Sequence, residues 1–83
     1  MLNLDRIETA AQQLGFSLTK GTTELRQKPS LEGELETGRG RLYFYCIGEG
    51  ARVLKPNGSV KYYYGLTDGQ FVRVLRQTIE ANS

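Results

Sequence analysis

The sequence predicts an α+β domain: an antiparallel sheet of three to five strands, flanked in sequence by an N-terminal and a C-terminal helix packed on one of its faces, in α-β-β-β-α order. Three observations predict it. Apolar residues recur at helical spacing near both ends of the chain. Between those segments the period drops to two. An Asn-Gly pair, Asn57-Gly58, stands between two short runs of strand-forming residues.

The first helix rests on Leu4, Ile7, Ala11 and Leu14, which fall on one stripe. Asn3 suits the N-cap, where its carboxamide oxygen accepts from an unpaired first-turn amide. Leu2 and Ile7 occupy the positions of a hydrophobic staple, and Asp5 and Glu8 lie where the helix dipole favours negative charge. Gly15 ends the helix, because glycine takes the left-handed conformation without a steric penalty.

Phe16 and Leu18 alternate with Ser17 and Thr19 and predict a short strand, which residues 22–28 either continue or partner in a hairpin. The stretch Pro29–Gly40 supports two readings. Leu31, Gly33 and Leu35 alternate with Glu32, Glu34 and Glu36, as in an edge strand with an acidic outer face; a glycine-rich loop is the alternative. Arg41–Ile47 is rich in aromatic and branched residues and reads as the central strand, broken by Gly48-Glu49-Gly50. Leu42, Phe44 and Cys46 are expected in the core, with Arg41, Tyr43 and Tyr45 on the opposite face.

Ala51–Lys55 and Val60–Tyr64 then form a hairpin. A two-residue Asn57-Gly58 loop pairs Lys55 with Val60, Val53 with Tyr62 and Arg52 with Tyr63. That register sends Val60, Tyr62 and Tyr64 to the core and turns Arg52, Leu54, Lys61 and Tyr63 outward. The second helix opens with Thr67-Asp68-Gly69-Gln70, which has capping-box spacing, and with the staple pair Leu66 and Phe71. Phe71, Val72, Val74, Leu75 and Ile79 supply its apolar face.

Size limits what such a chain can do. Its 83 residues make one domain, 1–83, with a core of roughly a dozen apolar side chains. No apolar run approaches the ~18 residues of a membrane span, and the N-terminal segment lacks the pattern of a signal peptide. A single cysteine, Cys46, cannot form an internal disulfide, so the expected setting is the cytoplasm, with no membrane partner. Charge is unevenly shared. Residues 1–38 carry four basic and six acidic groups, and residues 39–83 carry seven basic and three acidic. The second half is therefore the side suited to an anionic partner.

Catalysis is disfavoured. The chain has no histidine, which removes the commonest general base and the commonest metal ligand. Its glycines form neither a GxxxxGK[ST] loop nor a GxGxxG turn. Glu49 is the sole carboxylate in a suggestive place, the glycine break. Alternate glutamates on one strand face stand ~7 Å apart, too far to share one small cation, so no metal site and no cofactor is expected.

What remains is a binding surface. Arg39, Arg41, Tyr43, Tyr45, Arg52, Lys61 and Tyr63 are the candidate contact residues, on the expected outer face and its rim. Tyrosine and arginine dominate protein-interface hot spots, which points to a protein partner or a homodimer. The alternative use of the same residues is a single-stranded nucleic acid, its bases stacked on the rings and its phosphates held by the cations. Double-stranded RNA-binding domains and HicA-like toxins share a helix–strands–helix order, and the chain resembles them in that order alone. The former place a basic cluster at the start of the second helix, where this chain has Asp68-Gly69-Gln70, and the latter use a strand histidine that is absent here.

Overall fold

The computed structural model describes residues 2–23, 27–47 and 49–83. It is α+β: helix α1 (Leu4–Gln13), strands β1 (Ser17–Thr22), β2 (Pro29–Thr37), β3 (Gly40–Ile47), β4 (Gly50–Leu54) and β5 (Val60–Tyr64), then helix α2 (Asp68–Ala81). The strands form one antiparallel meander in the order β1-β2-β3-β4-β5, and both helices contribute to a core on one of its faces. None of the described helices is long and apolar enough to cross a membrane.

Local chemistry fixes both helix ends as expected. The Asn3 side chain accepts from the Arg6 amide at 3.3 Å. At the other end the Gly15 amide donates to Gln12, the Phe16 amide donates to Ala11, and Gly15 takes φ +98°. These are the two bonds of a Schellman motif, and they turn the chain directly into β1. Thr67 and Gln70 cap α2 reciprocally, with bonds of 3.0 and 3.2 Å.

The segment with two readings is a strand, and it is not at an edge: β2 pairs with β1 on one side and β3 on the other. The expected acidic edge is thus an interior strand over residues 29–34, which Ser17–Thr22 covers, while residues 35–37 run past the end of β1. Of the stretch 22–28, Thr22 closes β1, while residues 24–26 lie outside the described residues. So does Gly48 of the expected glycine break.

Phe44 sits at the centre of the core. It is fully buried and meets Phe16 and Phe71 edge to face, at 5.0 and 5.7 Å between ring centres. Gly33 lies directly across from it on β2, and a methyl group there would fall 2.6 Å from Cζ of the ring and nearer still to Cε1. Leu31, Leu42, Cys46, Val53, Ile7 and Leu75 close round this centre.

The β4–β5 register corrects the sequence reading by one residue. Leu54 pairs with Val60, Val53 with Lys61, Arg52 with Tyr62 and Ala51 with Tyr63. The cause is Pro56. A two-residue loop would require Pro56 to pair with Ser59, yet proline has no amide to give a ladder. Instead Pro56 enters the turn. The Gly58 amide donates to the Lys55 carbonyl, the Lys55 amide donates to the Ser59 carbonyl, and Gly58 alone in the loop takes positive φ, +89°. A three-residue loop results, and every side chain of β5 changes face.

Candidate functional site

The sheet has one face under the helices and one with no element over it among the described residues. Alternation and the observed pairings place the second set of side chains on that open face. From β2 come Glu32, Glu34 and Glu36; from β3 come Arg41, Tyr43, Tyr45 and Ile47; from β4 come Arg52 and Leu54; from β5 come Val60, Tyr62 and Tyr64.

Four of the seven expected contact residues therefore stand together on the open face: Arg41, Tyr43, Tyr45 and Arg52. Arg39 is exposed at the tip of the β2–β3 turn, where its amide donates to the Thr37 hydroxyl at 3.2 Å. Lys61 and Tyr63 are corrections. The register turns them to the helix side, where the half-buried Tyr63 ring meets Phe71 edge to face at 6.2 Å and Lys61 Nζ lies 5.5 Å from the Tyr63 ring centre. Val60, Tyr62 and Tyr64, expected in the core, are exposed instead. The sequence signal for this was the proline before Asn57-Gly58.

The centre of the face is a cross-strand row. Glu32 on β2, Tyr45 on β3, Arg52 on β4 and Tyr62 on β5 stand in register. The Arg52 guanidinium lies 5.2 Å from the Tyr45 ring centre. Tyr43 joins the row diagonally. Its phenol is held above the ordinary tyrosine range first by burial, then by its hydrogen bond to Glu32 and that group's charge, with Arg52 acting the other way. The ring is thus a neutral hydrogen-bond donor.

Beyond this row the face divides. At the end nearer the β2–β3 turn, Arg41 Nε bonds Glu36 at 3.1 Å and its NH1 lies 3.9 Å from Glu34. The Glu36 hydrogen bond, then the charges of Glu34 and Glu36, raise its already high pKa, so this cation is internally compensated. At the other end Tyr45, Ile47, Arg52, Tyr62 and Tyr64 line a shallow hollow of about 610 Å³. Its floor includes Gly50, whose missing side chain lets the Tyr64 ring lie against the backbone; a methyl there would be 3.0 Å from that ring.

The structure places both Cys46 and Glu49. Cys46 is buried at the heart of the core, and burial pushes its thiol up to about 12, so the nucleophilic thiolate is suppressed. Glu49 forms an ion pair with Lys28. Among the described residues no three acidic or thiol groups converge as metal ligands.

What the open face offers is rings with polar tips, aliphatic side chains beside them, and one arginine anchored on a tyrosine. Three glutamates against two arginines leave its charge slightly negative. Comparison with known proteins finds no matching family model, no matching curated protein and no matching solved structure.

Proposed function

We propose that the chain is a non-enzymatic binding module whose contact surface is the open sheet face, and that its partner is a protein. The observation that carries this is the row Tyr45–Arg52–Tyr62, uncovered, beside a hollow walled by Ile47 and Tyr64. Tyrosine and arginine supply large contact area with polar ends, the composition of interface hot spots. A cytoplasmic setting suits the lone buried thiol of Cys46.

The charge of the face favours protein over single-stranded nucleic acid. A phosphate chain needs uncompensated cations. Arg41 is held by two glutamates, Glu32 stands across from Tyr45, and Lys61 lies on the other side of the sheet. The basic excess of the second half resides partly in Arg73 and Arg76 of α2, away from the tyrosines.

The test is affinity capture from the native cell extract with the wild type and with a Tyr45→Ala/Arg52→Ala variant of unchanged circular dichroism. A protein retained by the wild type and lost with the variant is expected, with binding that changes little between low and moderate salt. In parallel, anisotropy titration with single-stranded oligonucleotides should show no tight binding. Oligonucleotide affinity that falls steeply with salt and vanishes in the variant would transfer the face to nucleic acid.

A further inference from the structure

We propose that β5 is a self-pairing edge: two copies of the chain join antiparallel through Val60–Tyr64, about a twofold axis at Tyr62, into one continuous ten-stranded sheet. This goes beyond the face reading, because it is built on main-chain groups of one strand and shares with that face only the side chains of β5 itself.

The sheet has two edges, and they differ. The first, β1, reads Ser-Leu-Thr-Lys-Gly-Thr, and its Lys20 is tied to Glu8 of α1 at 3.0 Å. The second, β5, reads Val-Lys-Tyr-Tyr-Tyr, with neither proline nor glycine. Among the described residues the large apolar side chains left exposed, Leu54 at 38 %, Val60 at 45 %, Tyr62 at 60 % and Tyr64 at 76 %, all stand on β5 or next to it. Apolar exposure is thus concentrated at one margin of the molecule, where unpaired backbone groups also lie.

The hairpin bonds identify those backbone groups. Lys55 and Ser59 form a hydrogen-bonded pair, and in an antiparallel ladder bonded and non-bonded pairs alternate. Leu54/Val60, Arg52/Tyr62 and Gly50/Tyr64 are then the non-bonded pairs. The amides and carbonyls of Val60, Tyr62 and Tyr64 therefore point away from β4. They belong to the same residues whose side chains are exposed on the open face.

Only registers that set these outward residues against each other make bonds across a twofold. Centring on Tyr62 joins Tyr62 to its own copy and Val60 to Tyr64 of the second copy, in both directions, so all outward groups are used. It also sets Lys61 opposite Tyr63 of the second copy, a cation beside a ring. The register one step back would set Lys61 opposite Lys61 of the second copy, like charges in the closest kind of pair. The register one step forward leaves Val60 unpaired. Bond count and charge select the same arrangement, and it shelters Val60 against Tyr64 and Tyr62 against itself on the open face.

The test is sedimentation of the full chain from ~1 µM to ~1 mM, a range that spans weak to moderate association. Concentration-dependent dimerisation is expected. Tyr62→Pro deletes the ring and, of the ladder groups, an outward amide alone, a place where a strand tolerates proline, and should weaken association roughly a hundredfold without loss of circular dichroism. Tyr62→Val deletes the same ring but keeps the amide and should still dimerise. Tyr45→Ala, which disables the face, should leave dimerisation unchanged, so the two proposals fail separately.

Hydrogen exchange on the wild type serves should the proline variant unfold. Val60, Tyr62 and Tyr64 amides should slow as concentration rises, while Lys61 and Tyr63, bonded to β4, are slow throughout. A monomer across the whole range, a dimer that survives Tyr62→Pro, or edge amides slowed only by a foreign chain would each overturn the proposal.

Discussion

Replacing Gly33 by alanine tests the packing that positions the sheet. In a strand interior this change ordinarily stabilises, by about 0.5–1 kcal/mol, because glycine loses more chain entropy on folding. Here the sign should reverse. The new methyl would meet Phe44 at 2.6 Å from Cζ and 2.9 Å from Cδ1, against the ~3.5–4.0 Å of a relaxed carbon contact. Phe44 has no free side to move into, since it is fully buried with Phe16 and Phe71 against it. Ring or strand must therefore shift by about 1 Å, an overpacking that costs about 1–3 kcal/mol. Net of the entropy gain, the loss centres on about 1 kcal/mol. In a domain of this size each kcal/mol lowers Tm by about 4–8 °C, so thermal unfolding followed by circular dichroism should show a clear drop. The control is the same substitution in a Phe44→Leu background, where the space opens and the penalty should vanish, giving a coupling of about 1–3 kcal/mol. An unchanged or higher Tm for Gly33→Ala, or an equal penalty in both backgrounds, would refute the reasoning.

Further outcomes follow at Gly58 and at Cys46. Gly58→Ala forces a side chain into φ +89° at the hairpin tip and should cost about 1–2 kcal/mol in urea unfolding, with nothing nearby for the methyl to strike. Cys46 should resist thiol reagents at pH 8 in the folded protein and react in urea. Because its pKa rises on folding, from 9.0 to about 12, the unfolded chain releases this proton first. The stability contributed is complete below the unfolded value and is lost as pH climbs from about 9 towards 12. Urea midpoints should therefore fall across that window more in the wild type than in a Cys46→Ala variant.

Much of this architecture was legible in the chain because it is written in local chemistry. Asn3, Gly15, Thr67 and Gln70 mark their helix ends through side-chain or backbone bonds that span a few residues, so the spacing suffices. The phase of β3 follows from the size of Phe44 against the polarity of Arg41. Less was legible where two local rules compete. At Pro56-Asn57-Gly58 the pull of Asn-Gly toward a two-residue loop loses to the missing proline amide, and one residue of slip exchanges Tyr63 for Tyr62 and Tyr64 on the open face. The fate of the glutamate row depended on something further still. The pairing of β2 with β3 sets Glu34 and Glu36 against Arg41, and whether β2 is also an edge depends on where β1 lies, which the alternation of β2 itself does not record.

The meander has a consequence for how the molecule forms. Each strand joins the one next to it along the chain, so every sheet pairing closes a short loop, and a low mean contact separation favours rapid folding. The exception is the meeting of α1 with α2, which brings together segments far apart along the chain. During synthesis, hairpins can thus zip in the order they emerge, yet Phe44 gains its contact with Phe71 only once α2 has emerged and docked. Until then the core face of the sheet stays partly bare, and the fourteen-residue helix α2 is the piece that shuts it.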